Sequence, residues 1–198
     1  MSYFDEIDKA QAYIKMTEEY DGRELIDILL KYLPRGASVL ELGMGPGKDL
    51  DLLRKNYQAT GSDSAQTFLD IYQKENKAAD LLLLDARTLE TDRKFDGIYS
   101  NKVLIHLSED ELWQSFQRQK AILNPGGVLL HSFWEGDNEE YFDGLRFGYY
   151  RKERLLAMVE PRFDVLEIKS YAEKESGDSI YLVLKESKVN SQKNDQSG

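Results

Sequence analysis

The chain of 198 residues contains no cysteine. That single absence removes disulfides, thiolate zinc sites and cysteine nucleophiles, and it leaves the redox compartment unmarked. Histidine is scarce too: only His106 and His131 offer a base whose ordinary pKa lies near neutrality. Basic residues are outnumbered, 26 Lys and Arg against 36 Asp and Glu, for a net charge of −10. Such a field repels phosphate backbones and anionic bilayers, so neither nucleic acid nor membrane is an expected partner. The first ten residues, MSYFDEIDKA, lack the basic and apolar regions of a secretory signal, and no apolar run approaches a bilayer span. The expected location is the cytoplasm.

What is present suits one core. A 198-residue chain with 41% hydrophobic residues buries one sizeable core rather than two, so one domain is expected over 1–186. The polar, aromatic-free residues 187–198 are expected to form a disordered tail.

Strand-like and helix-like runs alternate between these limits. Asp21 and Glu24 read as a capping box opening a helix with Leu25, Ile26, Leu29 and Leu30 on its apolar stripe, ended by Pro34. VLEL (39–42), QATGSD (58–63), LLLL (81–84) and FDGIYSN (95–101) read as strands, with LLLL buried on both faces. Helices are expected over about 49–56, from near Ser64, from a second capping box at SEDE (108–111), and over about 151–159. NPGG (124–127) turns the chain into VLLHSFW, and residues 135–150 read as an acidic, aromatic-rich connection. FDVLEI (163–168) and SIYLVL (179–184) follow with no helix between them. This alternation predicts an α/β fold with a doubly wound, parallel sheet and one antiparallel strand at the end.

The densest signal is VLELGMGPGKDL (39–50), a strand followed by glycines at 43, 45 and 47. Such a turn lets the backbone approach a ligand, and the following helix offers free N–H groups to an anion, which puts the site at 43–49. The dinucleotide fingerprint would require glycine where this chain has Lys48, so the spacing weakens an NAD reading. Glu41, two residues before the first glycine, is a carboxylate that a pyrophosphate site does not need.

ELGMGPG (41–47) resembles the first motif of class I S-adenosylmethionine-dependent methyltransferases, and the other motifs follow in order. Asp63 stands at the end of the second strand, where that family binds the ribose hydroxyls. Asp85 and Ala86 end the third, where the adenine lies. FDGIYSNKVLIHL resembles the fourth motif, and LNPGGVLLHSFW the run into strand five. The likeness spans roughly residues 20–185. It implies a Rossmann-like, mostly parallel seven-stranded sheet with the last strand antiparallel, and S-adenosylmethionine as cofactor with S-adenosylhomocysteine as product. The cofactor residues it implies are Tyr20, Glu41, Gly43, Met44, Gly45, Gly47, Asp63, Ser64, Asp85, Ala86, Ser100 and Asn101, with residues 1–20 as a lid.

Methyl transfer from a sulfonium requires alignment and exclusion of water more than a fixed catalytic group. An acceptor protonated at neutral pH does require a base, and His106, just beyond strand four, is the candidate; the plainer alternative is a loop-fixing hydrogen bond. His131, inside strand five, reads as a core residue. Tyr13, Trp134, Tyr149 and Tyr150, from segments that vary over this fold (1–20 and 134–150), and His106, just beyond strand four, are candidate substrate contacts. The D/N-P-P-Y/F signature of base-amino methyltransferases is missing, since Ser100-Asn101-Lys102-Val103 stands there. The magnesium ligands of catechol-type relatives are matched only by Asp137-Asn138, with Asn101 in place of the first carboxylate, so no metal is expected. The leading reading is a small-molecule methyltransferase. A protein or peptide methyltransferase that recognises a basic partner, and a non-catalytic cofactor-binding module, are the alternatives, and the oligomeric state stays open.

Overall fold

The computed structural model describes residues 3–160 and 162–187; the expected tail, 187–198, lies outside the described residues except for Ser187. A short 3-10 turn, Tyr3–Asp5, precedes helices α1 (Ile7–Met16) and α2 (Arg23–Tyr32). The alternating body follows: β1 (Ser38–Leu42), α3 (Lys48–Leu53), β2 (Gln58–Asp63), α4 (Gln66–Glu75), β3 (Asp80–Leu83), β4 (Phe95–Asn101), α5 (Glu109–Ile122) and β5 (Leu123–Trp134). A hairpin, β6 (Glu139–Phe142) and β7 (Leu145–Gly148), then leads to α6 (Lys152–Val159), β8 (Phe163–Tyr171) and β9 (Ser179–Glu186).

Seven strands form one sheet in the order β3-β2-β1-β4-β5-β9-β8, and β9 runs antiparallel to both of its neighbours. Alternation along each strand feeds two cores. Leu40, Leu42, Leu129, Leu182 and Leu184 point to one face, under Leu112 and Phe116 of α5 and Leu155 of α6. Val39, Tyr99, Leu130, Tyr181 and Val183 point to the other, under Leu25, Ile28 and Leu29 of α2. Strand order reverses between β1 and β4, so the loops leaving their carboxyl ends diverge and open a crevice. No helix among the described residues is long and apolar enough to cross a membrane.

Three local expectations need correction. The capping box at Asp21 and Glu24 does not form: Gly22 occupies the N-cap position, and the Asp21 carboxylate is taken by the Arg23 backbone N–H and guanidinium. The strand at 81–84 is not buried on both faces. It is the sheet edge, and Leu83 is 56% exposed. Residues 135–150 are not a plain connection but carry the β6–β7 hairpin, turned at Asp143 and Gly144, whose φ values are 48° and 82°. By contrast, the box at Ser108 and Glu111 forms with both of its hydrogen bonds.

Candidate functional site

A cavity of about 540 Å³ occupies the crevice. Its floor is the loop after β1. Gly43 and Gly45 line it, and Gly45, at φ 48°, holds a left-handed conformation that favours glycine. The loop is tied to β2 by Asp63, whose Oδ2 accepts the Gly45 N–H at 2.9 Å while Oδ1 accepts the Ala65 N–H, also at 2.9 Å. Burial raises the Asp63 carboxyl above its ordinary pKa, opposed by these backbone donors. Ser64, Asp85 and Ala86 continue the wall from the ends of β2 and β3. Asp85 is held below the usual carboxylate range by its ion pair with Arg87, which also reaches Glu111.

The opposite wall comes from β4 and the turn after it, with Asn101 and His106 lining the cavity. Asn101 Nδ2 donates to the Tyr20 hydroxyl and, at 3.3 Å, to Asp49 Oδ2, which also accepts the Tyr99 hydroxyl at 2.7 Å. Asn101 Oδ1 accepts from Ser132. Two buried carboxylate oxygens beneath the loop, Glu41 Oε2 and Asp49 Oδ1, have no hydrogen-bond partner. Burial first, then the charges of Asp49, Asp63 and Asp51, pushes the Glu41 carboxyl well up.

The roof comes from the N-terminal segment. Phe4, Tyr13 and Phe68 form an aromatic cluster with centroids 5.1–5.9 Å apart, and Tyr13 Cε1 lies 3.4 Å from where a Gly45 Cβ would stand. Burial pushes the Tyr13 hydroxyl up to about 12.

Gly43, Gly45, Asp63, Ser64, Asp85, Ala86, Asn101, Tyr13 and His106 thus meet around one cavity. The other residues singled out in the sequence lie outside its wall. Tyr20 stands behind it, in the hydrogen-bond network just described, and Glu41 is buried without a partner at Oε2. Met44 packs under the loop with Leu50, Leu69 and Tyr72. Gly47 begins α3 at φ 84°, where a Cβ would fall 2.3 Å from the Tyr72 ring. Ser100 is buried and bonded to His131 Nδ1 at 2.8 Å. His131 is a core residue, pushed down to about 3 by burial, with Nε2 unpartnered.

Three of the candidate substrate contacts are not in the wall. Trp134 lies under the Lys102 ammonium, 4.3 Å from the ring centroid. Tyr149 packs on Gly136. Tyr150 is fully buried against Phe133. Sequence reasoning missed Tyr3, Phe4, Leu83, Val103 and Leu145, which do line the cavity. Leu83 carried no local signal, because its exposure comes from the edge position of β3 in the sheet.

A family model described as "Methyltransferase domain" matches residues 39–127. Trans-aconitate 2-methyltransferase of Variovorax paradoxus is 34% identical over 101 residues, covering 49% of this chain and 38% of that enzyme. The chain therefore spans well under half the length of that relative. Among solved structures, 1,6-didemethyltoxoflavin-N1-methyltransferase of Burkholderia thailandensis, with S-adenosylhomocysteine bound, superposes with a TM-score of 0.76 at 19% identity over 89% of this chain and 82% of that one. An S-adenosylmethionine-dependent methyltransferase of Clostridium acetobutylicum gives 0.72 at 16% identity, over 90% and 97%. Residues 39–127 thus match a methyltransferase-domain family model, and the chain shares its fold with S-adenosylmethionine-dependent methyltransferases of known structure.

Proposed function

We propose that the protein transfers a methyl group from S-adenosylmethionine to a small-molecule acceptor. The observation that carries this reading is the convergence of Gly45, Asp63, Asp85 and Asn101 on the cavity that His106 also lines. When bound, the cofactor supplies a methyl group already activated by its sulfonium.

The residues present fit that group. Asp63, held in place by two backbone N–H donors, keeps lone pairs for the ribose hydroxyls. Exposed Leu83 and neighbouring Ala86 offer an apolar surface for the adenine. Glu41 Oε2 and Asp49 Oδ1, behind the cavity wall, are buried acceptors still lacking a donor, and their carboxyls suit the cationic amino-acid part of the cofactor. The aromatic N-terminal segment serves as the lid that excludes water, and its Tyr3 hydroxyl donates to Asp143 on the hairpin at 2.6 Å. His106 takes the acceptor's proton at Nε2, because Nδ1 is engaged by the Arg146 carbonyl at 2.6 Å. Burial lowers the His106 pKa, which favours the neutral ring with its Nε2 lone pair free.

A small acceptor is favoured by the size of the cavity, which falls in the range of ordinary small-ligand sites, roughly 300–1,000 Å³. The test is transfer of radiolabelled methyl from S-adenosylmethionine into a panel of small amines, carboxylates and phenols. A labelled small product supports the reading. Label appearing only in protein, or in nothing, counts against it.

A further inference from the structure

His106 closes a 3-10 turn, Leu104–His106, and Arg146 of β7 grips that turn at three points. The Arg146 carbonyl lies 2.6 Å from His106 Nδ1. Its Nη1 donates to the Ile105 carbonyl at 2.9 Å and to the Leu107 carbonyl. Its Nε and Nη2 pair with Glu139 Oε2 on β6 at 3.0 and 2.8 Å. The side chain is only 11% exposed. It crosses Gly148 so closely that a Cβ there would stand 2.3 Å from Nη1, and any larger residue would push the guanidinium aside. The Phe147 ring, edge-on at 4.8 Å, closes the other side of the imidazole.

These contacts have a chemical consequence. A main-chain carbonyl only accepts, so the proton of the neutral imidazole sits on Nδ1 and the lone pair is left on Nε2. The guanidinium meanwhile satisfies carbonyls on both sides of His106, fixing the turn against the hairpin. We propose that Arg146 is a positioning residue: it holds the turn so that its own carbonyl captures His106 Nδ1, leaving Nε2 as the basic nitrogen at the cavity.

The value of that arrangement for methyl transfer rests on the function proposed above, but the arrangement itself can be tested without any acceptor. In protein labelled with 15N-histidine, only two imidazoles contribute, and His131 serves as internal reference because its ring is bonded to Ser100 instead. The parent protein should show His106 protonated at Nδ1 and bare at Nε2. In Arg146→Gln, which cannot span both carbonyls, the Nδ1–H population should fall at least about twofold as the freed ring exchanges tautomers. Gly148→Ala should do the same while keeping the arginine. S-adenosylhomocysteine affinity in both variants should stay within about twofold of the parent, because the clamp lies outside the cofactor half of the cavity. An Nε2–H tautomer in the parent would overturn the proposal. So would an unchanged signature in both folded variants, or loss of folding in both, since a clamp between one hairpin and one turn leaves the sheet intact. Failure of the parent to bind S-adenosylhomocysteine would instead count against the methyl-transfer reading and leave the tautomer result standing.

Discussion

Asp63 carries two burdens, and removing it should show in two separate measurements. Asp63→Ala deletes the acceptor of the Gly45 and Ala65 N–H groups, each at 2.9 Å. Hydrogen bonds to charged groups contribute about 1.5–3 kcal/mol each in mutational series. Part of that is offset, because the carboxylate is buried and its ionised form is strained by burial, as its raised pKa indicates. A net stability loss of about 1–3 kcal/mol follows, read by urea denaturation. Loss of the ribose contacts proposed for Asp63 should weaken S-adenosylhomocysteine by about 1.5–3 kcal/mol, roughly tenfold to a hundredfold, in titration calorimetry. Asp63→Asn, which keeps one oxygen but turns an amide NH₂ toward one of the two N–H groups, should fall between parent and alanine variant. A folded Asp63→Ala protein that binds within about twofold of the parent would refute the ribose assignment.

Other perturbations are equally specific. Gly47→Ala forces a side chain into φ 84° and sets its Cβ 2.3 Å from Tyr72, so a loss of about 2–4 kcal/mol is expected on denaturation; a change under about 0.5 would be inconsistent with it. Glu41 has its folded pKa raised above 4.5, so its destabilising effect is absent below that value and grows as pH rises through the window up to the folded pKa. Glu41→Gln should therefore be more stable than the parent near neutral pH, by a margin that vanishes by about pH 4; an equal margin at both pH values would contradict the burial argument. His106→Asn should leave S-adenosylhomocysteine affinity within about twofold and slow transfer to a protonated acceptor by roughly 10²–10⁴-fold. An undiminished rate would remove His106 from the chemistry.

The sequence disclosed what neighbours in the chain decide and hid what topology decides. The box at Ser108 and Glu111 was legible because both partners sit within one helical turn and nothing intervenes. The same pattern at Asp21 and Glu24 misled, because Arg23 lies between them and its guanidinium takes the carboxylate. LLLL is apolar enough for a buried strand, yet its exposure depends on being last in the sheet, which no local window records. The hairpin left one trace, Asp143-Gly144, a pair suited to a turn with both φ values positive; its flanks of Glu, Tyr and Arg obscured the alternation.

The same division runs through the site. Gly43, Gly45, Asp63, Asp85, Ala86 and Asn101 were readable because the family motifs fall at strand ends, which the fold gathers at one edge of the sheet. Trp134, Tyr149 and Tyr150 were chosen for being aromatic in a variable segment. The hairpin instead turns Leu145 toward the cavity and packs Tyr150 into the core. Arg146 left no signal, since its hold on His106 runs through main-chain carbonyls.

The central claim is that the glycine loop and Asp63 form a site for S-adenosylmethionine. Titration calorimetry of the folded protein with S-adenosylhomocysteine, with NADH as control, tests it without the acceptor. The account predicts binding of S-adenosylhomocysteine at roughly micromolar Kd and none of NADH. A folded protein that binds neither, or that binds NADH instead, would contradict it.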